Sequence, residues 1–324
     1  MSVPEYFELN GGDRMPKIGF GTWQSSDEVL EKAVLAALDA GYRHFDTAHA
    51  YENEAALGRA LRKWIGDNPA KRRELFVVTK LPPGGNRPEL VREYFDTSFR
   101  NLGLDYIDMY LMHTPFAFEH VPGDLHPKNP DGTMKVDYST DLAAVWKTLL
   151  KLKESGQVRH LGVSNLNLEQ LTRLSKIEKP ACLQVEVHLL CQQKALVEAA
   201  KKLSIPIVAY SPLGSKALAD ALAAKTGRDY PDLLQLPVVK RIAEAHDRSP
   251  AQVLLRYTVQ RGLAAIPKST NPTRIKQNLS IWDFELSDSE MKDLGALDKG
   301  EEGRICDFTF FPGIEKHAEF PFKN

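Results

Sequence analysis

A short stretch of the sequence, FDTAHAYENE at residues 45–54, places a carboxylate, an imidazole and a phenol close together. The carboxylate is Asp46, the phenol is Tyr51, and His49 lies between them. Asp46 ends a short apolar segment, and a helical pattern begins just after Tyr51. Parallel barrels carry their catalytic groups at such strand-to-helix junctions. The stretch therefore raises the question of what a phenol with an ordinary pKa near ~10 does at neutral pH.

Polar or aromatic side chains also end the other strands that the sequence predicts. Taken singly, each has a plain explanation: Asp46 as a helix cap, Lys80 as a solvated loop residue, His113 as a structural histidine. Taken together, an aspartate, a tyrosine, a lysine and a histidine on three successive strand ends should meet at one rim of a barrel. The side chains at the strand ends are Thr22, Trp23, Asp46, Lys80, His113, Ser164, Asn165, Gln184, Tyr210, Ser211, Lys268 and Ser269.

Strand and helix patterns alternate along the whole chain, after a hairpin predicted around Gly11 and Gly12. The predicted strands are 18–21, 44–46, 75–80, 106–113, 158–163, 181–186, 206–210 and 263–266. The first predicted helix is capped by Asp27 and ended by Gly41. The other predicted helices are 54–65, 88–101, 141–154, 168–176, 194–203, 236–246, 249–260, 272–279 and 287–297. Residues 114–140 and 211–236 are predicted to be long loops.

Eight strand–helix units without a composition break predict an α/β fold, a single (β/α)8 TIM barrel over residues 1–324. The prediction includes the N-terminal hairpin, long rim loops and a C-terminal tail. A doubly wound sheet is the alternative, and it would bind a dinucleotide through a glycine-rich turn after its first strand. That turn reads GFGTWQ here and lacks the third glycine, so the barrel is favoured.

The composition is that of a soluble globular protein, with 324 residues, 43% hydrophobic and 26% charged. A balance of 42 basic against 43 acidic residues gives no basic surface for nucleic acid. No apolar run reaches the length of a membrane span, and the N-terminus lacks the apolar core of a secretory signal. The cysteines, Cys182, Cys191 and Cys306, lack metal-site spacing and are expected to be reduced thiols. We expect a cytoplasmic monomer that binds no metal.

Three motifs resemble the signatures of the aldo-keto reductases, in the order that the family has them. They are GYRHFDTAHAYENEAALG at 41–58, VRHLGVSN at 158–165 and IPKSTNPTRIKQN at 266–278. The resemblance covers essentially the whole chain. It implies a catalytic set of Asp46, Tyr51, Lys80 and His113, with NADP(H) bound in extended form at the barrel rim.

Within that family's chemistry, Tyr51 is the expected proton donor to the oxygen of a carbonyl group whose carbon receives hydride. A neighbouring Lys80 ammonium would favour the phenolate and lower the pKa of Tyr51. Lys80 needs Asp46 as a partner in order to stay charged in a partly buried site. His113 is expected to donate a hydrogen bond to the carbonyl oxygen. His49 has no role in this scheme and is taken as structural.

The cofactor site is expected at the later strand ends. Ser164, Asn165 and Gln184 suit a nicotinamide carboxamide, and Tyr210 can stack on the ring. Lys268 and Arg274 suit a 2′-phosphate. The full predicted set is Gly21, Thr22, Asp46, Ser164, Asn165, Gln184, Tyr210, Ser211, Leu213, Ser215, Lys268, Ser269, Thr270, Arg274, Gln277 and Asn278. For Arg274 and Gln277, a solvated helix face is the alternative.

The substrate pocket departs from aldose-reductase-like members of the family, because Leu81 and Pro82 follow Lys80 and Thr114 follows His113. Loop aromatics are therefore missing, and the tail CDFTFFPGIEKHAEFPF at 306–322 is expected to supply a wall. The alternative is that this tail only packs on outer helices. The predicted pocket residues are Trp23, Ala50, Tyr51, Pro82, His113, Thr114, Phe118, Phe308, Phe310 and Phe311.

The leading functional prediction is NADPH-dependent reduction of aldehydes or ketones. A catalytically idle barrel with a regulatory or structural role is the alternative, and the complete set of catalytic residues disfavours it. A metal-dependent hydrolase is a third possibility, but histidine and carboxylate ligands are not grouped at the strand ends. The sequence leaves open whether the substrate is a sugar aldehyde, a lipid or aromatic aldehyde, or a keto-steroid.

Overall fold

Two short antiparallel strands come first in the computed structural model, which describes residues 5–322. They are β1 (Tyr6–Glu8) and β2 (Arg14–Pro16). Gly11 and Gly12 make the turn with φ of 87° and 84°, a region that favours glycine. His44, which opens the second barrel strand, donates a hydrogen bond from Nδ1 to the Pro16 carbonyl oxygen at 2.9 Å. The predicted hairpin is thus confirmed, and it covers the amino-terminal end of the barrel.

Eight parallel strands follow one another around the barrel in chain order. They are β3 (Phe20–Gly21), β4 (His44–Asp46), β5 (Phe76–Leu81), β6 (Ile107–Met112), β7 (Val158–Ser164), β8 (Leu183–Glu186), β9 (Ile207–Tyr210) and β10 (Ala264–Ala265). A parallel bridge between Ile18 and Ala265 closes the circle, with the Gly19 N–H donating to the Ala265 carbonyl oxygen at 2.9 Å. The predicted (β/α)8 barrel is confirmed.

Helices surround these strands, and most of them carry one apolar face. They are α1 (Asp27–Ala40), α2 (Glu54–Ile65), α3 (Pro69–Glu74), α4 (Val91–Leu102), α5 (Leu142–Glu154), α6 (Leu168–Ser175), α7 (Lys194–Lys202), α8 (Lys216–Thr226), α9 (Pro237–Ala245), α10 (Pro250–Gln260), α11 (Pro272–Leu279) and α12 (Asp288–Gly295). Capping boxes at Asn167, Ser249 and Ser287 begin α6, α10 and α12. The main core lies between strands and helices and includes Phe45 and Trp146.

Most predicted elements are present with small shifts of their ends, but two predictions were wrong and one helix was not predicted. The segment 211–236 is not all loop, because α8 lies within it. The short helix α3 was missed. Ser26 rather than Asp27 precedes α1, and it makes no side-chain cap hydrogen bond. The 114–140 segment contains no helix and is held by isolated bridges such as Phe118 with Val136. Within residues 5–322, no helix is both long enough and apolar enough to cross a membrane.

Candidate active site

A buried ion pair lies at the carboxyl end of the barrel. The Lys80 ammonium, at the end of β5, donates to Asp46 Oδ1 at 2.5 Å and to the Thr47 carbonyl oxygen at 2.7 Å. Gln184 on β8 donates to the other carboxylate oxygen of Asp46 at 2.7 Å. Burial by itself would lower the pKa of Lys80, but Asp46 and Tyr51 outweigh it, so the pKa is raised. Lys80 is therefore a charged lysine in a site that water does not reach.

Tyr51 ends a single 3₁₀ turn that follows β4, and this turn brings its hydroxyl to the ion pair. The hydroxyl oxygen is 3.5 Å from Lys80 Nζ. Burial raises the pKa of Tyr51, and the opposing effect of Lys80 is too small to reverse that direction. The expectation of a lowered pKa was therefore wrong for the protein without ligands, because the phenol is desolvated more than it is stabilised. Tyr51 keeps its proton at neutral pH and is available as an acid.

His113 directly follows β6 and lies against Tyr51, with the two ring centroids 5.7 Å apart in an edge-on arrangement. Burial, followed by the charge of Lys80, holds the pKa of His113 well below its ordinary value. The imidazole is therefore neutral at physiological pH. Its Nδ1 atom is buried and has no hydrogen-bond partner within residues 5–322. With its proton on Nε2, this ring can donate one hydrogen bond to a group in the adjoining cavity.

The ends of β7, β8 and β9 share a network of polar side chains. Ser164 Oγ donates to the Gln184 carbonyl oxygen at 2.8 Å. The Asn165 amide donates to the His113 carbonyl oxygen at 2.9 Å, and its own oxygen accepts from the Tyr210 hydroxyl at 2.8 Å. Asn165 has a φ of 62°, a conformation that asparagine tolerates better than most residues. The four predicted side chains thus lie together, and hydrogen bonds between side chains link Ser164, Asn165 and Tyr210.

Farther along the cavity, the chain turns sharply into α8. Ser211, Gly214 and Ser215 all have positive φ, and Ser215 Oγ donates to Ser211 Oγ at 2.7 Å. Within the described residues 5–322, no side chain accepts a capping hydrogen bond from the first turn of α8. The N-terminus of a helix attracts anions through its free N–H groups and its dipole. This end of the cavity therefore suits a phosphate group.

Two cations lie beyond β10 at the start of α11. Lys268 lines the cavity and donates to the Gln24 carbonyl oxygen at 3.3 Å. Burial and then the neighbouring charge of Arg274 lower the pKa of Lys268. Among the ion pairs within residues 5–322, neither cation has a carboxylate partner. Two like charges without a counter-charge suit a bound anion. The remaining predicted residues in this part are Ser269, Thr270, Gln277 and Asn278, of which Ser269 and Asn278 are buried.

One cavity of about 560 Å³ joins the catalytic end, the strand-end network, the turn into α8 and Lys268. Its lining does not include the predicted cofactor residues Ser269, Thr270, Arg274, Gln277 and Asn278. Two of the predicted pocket residues are not in the lining of this cavity. Pro83 lines the cavity and Pro82 does not, since the turn after β5 presents the second proline. Phe118 is buried behind the wall, with its ring centroid 5.1 Å from that of Phe311. His126 also lines the cavity and was missed, because nothing in the sequence of its long loop indicates which residue turns inward. The other predicted pocket residues are in the lining: Trp23, Ala50, Tyr51, His113, Thr114, Phe308, Phe310 and Phe311.

The C-terminal tail forms a wall of this cavity. Cys306, Phe308, Phe310 and Phe311 all line it. The Phe308 ring packs edge-on against Phe116, with centroids 5.0 Å apart. The prediction that the tail folds over the rim is confirmed, and the alternative that it only covers outer helices was wrong.

The barrel and its rim chemistry define a class of oxidoreductase. The aldo/keto reductase family model matches residues 17–299, and the chain belongs to that family. NADP(H) is the cofactor of this class.

Relatives match the chain over nearly its full length. Aldo-keto reductase family 1 member A1 of Gallus gallus is 44% identical, covering 99% of this chain and 98% of the relative. The solved aldose reductase of Schistosoma japonicum has a TM-score of 0.88 and 37% identity, with 99% of each chain covered. An aldo-keto reductase of Bombyx mori, solved in complex with NADP, has a TM-score of 0.85 and 32% identity, covering 99% of this chain and 100% of that one.

Proposed function

We propose that this protein reduces aldehyde or ketone carbonyls to alcohols with NADPH as the reductant. The observation that carries the proposal is the buried pair of Lys80 and Asp46, with the Tyr51 hydroxyl 3.5 Å from the ammonium at the cavity wall. A hydride and a proton are needed to turn a carbonyl into an alcohol. NADPH supplies the hydride when it is bound, and the residues of this chain supply and control the proton.

Tyr51 donates its hydroxyl proton to the carbonyl oxygen as that oxygen gains electrons. The donation leaves a phenolate, which would be costly in a buried site. The Lys80 ammonium stabilises that phenolate, and Asp46 holds the ammonium in place through the 2.5 Å contact. The raised pKa of Tyr51 keeps the proton on the phenol until the carbonyl oxygen becomes a strong base. Lys80 therefore stabilises the Tyr51 phenolate that forms on proton transfer more than it acidifies the resting phenol.

His113 positions the carbonyl. Because the imidazole is neutral, its Nε2–H can donate to the carbonyl oxygen without competing with Tyr51 as an acid. The ring lies edge-on to Tyr51, so both groups can reach one oxygen atom. A donor that is fixed in advance stabilises developing negative charge without reorganisation.

The cavity fits the cofactor along its length. Ser164, Asn165 and Gln184 would hold the carboxamide, and Tyr210 would lie against the nicotinamide ring. The turn that begins with Ser211 and the free N-terminus of α8 would hold the pyrophosphate. Lys268 and Arg274, which lack carboxylate partners within residues 5–322, would hold the 2′-phosphate. The unpaired cations are what favour NADPH over NADH.

The wall chemistry favours apolar carbonyl compounds. Trp23, Phe308, Phe310 and Phe311 line the end of the cavity beside Tyr51 and His113. Apolar walls bind apolar ligands and exclude water from the reacting atoms. From the sequence features given above, we also propose one domain over residues 1–324 that acts as a cytoplasmic monomer, which light scattering and cell fractionation would test.

Tyr51→Phe tests the proposal, because it removes only the hydroxyl. Losing a general acid costs ~10²–10⁴-fold in rate, and NADPH affinity should be unchanged. Single-turnover oxidation of NADPH by an aromatic aldehyde measures the rate, and fluorescence titration measures the affinity for NADPH. Tyr257→Phe is the matched control, since that hydroxyl is buried and bonds to Gln192, outside the cavity. A Tyr51→Phe variant that transfers hydride at the wild-type rate would show that Tyr51 is not the acid.

A further inference from the structure

A buried carboxylate outside the cavity binds the tail. Glu186 ends β8 and is fully buried. Its Oε1 accepts the backbone N–H of Ile305 at 2.8 Å, and its Oε2 accepts the backbone N–H of Cys306 at 2.8 Å. Two adjacent peptide N–H groups are thus held by the two oxygens of one side chain. The hydrogen bonds join residues 119 and 120 positions apart in the chain.

The surroundings keep this carboxylate charged. His188 donates from Nε2 to Glu186 Oε1 at 2.9 Å, while its Nδ1 accepts from the Leu190 N–H at 3.2 Å. Arg304 lies 4.0 Å from Oε2. Burial alone would raise the pKa of Glu186, but His188, Arg304 and the backbone N–H of Ile305 outweigh it and lower the pKa. The hydrogen bonds to the tail are therefore charge-assisted, which makes them stronger than bonds between neutral groups.

The residues that Glu186 holds are the start of the cavity wall. Cys306 lines the cavity, and the lining residue Phe308 follows two positions later. The far end of the tail is held separately, where Glu319 accepts hydrogen bonds from Gln170 and Arg173 on α6. The wall segment is thus fixed at both ends. Between these two points, His317 Nε2 also bonds to the Asp137 carbonyl oxygen at 2.9 Å.

The same strand also holds the catalytic end of the cavity. Gln184 lies two residues before Glu186 on β8, and it donates to Asp46, the partner of Lys80. One short strand therefore contacts both the ion pair beside Tyr51 and the first residues of the wall. The distance between the reacting centre and the wall is set by the rigid backbone between these two side chains.

We propose that Glu186 is a positioning residue that fixes the tail wall relative to the reacting centre and so determines which bulky carbonyl compounds are accepted. This inference rests on the proposed function, since it concerns the substrates of the same site. Glu186 itself is not among the residues that line the cavity, so it acts through Ile305 and Cys306. A small aldehyde that does not reach the wall should not depend on it.

The test is Glu186→Gln in the full chain. The amide keeps one acceptor but loses the charge and the second acceptor. Weakening of charge-assisted bonds should speed hydrogen exchange at the Ile305 and Cys306 amides by about tenfold or more. The ratio of kcat/KM for a bulky apolar ketone to that for a small aldehyde should fall at least about fivefold. NADPH affinity and the rate with the small aldehyde should stay at their wild-type values.

Glu301→Gln is the matched control. Glu301 is an exposed glutamate that pairs with Arg304, but it accepts neither the Ile305 nor the Cys306 N–H. Its replacement should leave both exchange and the substrate ratio unchanged. If Glu186→Gln does not fold, Glu186→Asp keeps the charge, shortens the reach to both N–H groups, and is measured in the same way.

Three outcomes would overturn the inference. The first is unchanged exchange at Ile305 and Cys306, and the second is an unchanged substrate ratio. The third is a parallel loss for small and bulky substrates, which is the result of a merely structural role. Failure of the proposed function looks different, because then the wild-type protein itself would reduce neither the small nor the bulky compound with NADPH.

Discussion

Replacement of Lys80 by methionine should destabilise the protein through the carboxylate that it leaves behind. Lys80 is 0% exposed and Asp46 is 2% exposed, so the charge on Asp46 would stay buried with Gln184 as its remaining side-chain donor. Breaking a buried ion pair by removing one partner costs about 3–5 kcal/mol. Part of this arises because Lys80 also satisfies the Thr47 carbonyl oxygen. We therefore expect Lys80→Met to lower the free energy of unfolding by about 4 kcal/mol.

The double variant Asp46→Asn with Lys80→Met separates charge from packing. It removes both charges, and the asparagine oxygen can still accept from Gln184. Neutral replacement of a buried pair is often tolerated, so we expect the double variant to regain at least about half of the lost stability. Catalysis should not return, because no ammonium is left to stabilise the phenolate of Tyr51.

Urea unfolding, followed by fluorescence and fitted with a common slope, measures the free energies of the three proteins. NADPH oxidation with an aromatic aldehyde measures activity in the same samples. A double variant no more stable than Lys80→Met would refute the argument, because the loss would then come from packing and not from an uncompensated charge. Full activity in either variant would refute the role given to Lys80.

Three further outcomes are expected. Arg274→Ala should weaken NADPH binding more than about tenfold and leave NADH binding nearly unchanged, because a charge-assisted hydrogen bond contributes about 1.5–3 kcal/mol; equal weakening of both would make Arg274 structural. Because the pKa of His113 is depressed in the folded protein, its protonation in the unfolded chain removes stability as pH falls below ~6.5. Below that pH, the free energy of unfolding of the His113→Gln variant should therefore fall by up to ~1.4 kcal/mol less per pH unit than that of the wild type. Urea titrations at several pH values measure this difference. Truncation after Glu302 should preserve NADPH affinity while kcat/KM falls most for bulky apolar substrates; proportional losses for small and bulky substrates would instead indicate a loss of folded protein.

Strand and helix periodicity predicted the barrel because each unit has its own pattern. The helix α2 (Glu54–Ile65) has the predicted bounds, since its apolar and charged residues recur with a clear helical period. The helix α8 (Lys216–Thr226) was missed because it is rich in alanine and buries only Ala219 and Leu222. A helix with so narrow a buried face has little periodicity to detect.

The sequence predicted which strand-end side chains lie together, but not the energetics of the candidate site. Strand ends identified the residues that meet at the rim, because parallel strands bring their carboxyl ends together. The direction of the pKa shift of Tyr51 was not predictable, since it depends on how completely the fold removes water from the phenol. Pro83 rather than Pro82 lines the cavity because of the geometry of one turn. The sequence shows two adjacent prolines but not which of them faces the cavity.

The hydrogen bond between Asp46 and Gln184 joins side chains 138 residues apart, so the site is assembled from both halves of the chain. The acid and its helpers come from the first four strand–helix units, and the groups proposed for the cofactor come mostly from the last four. Neither half of the polypeptide contains a working centre. Contacts between distant residues form late when a chain folds, because the intervening loop must be closed first. During refolding, the return of catalysis therefore reports that the two halves of the barrel have come together, and a half-length fragment should be inert however much helix it regains.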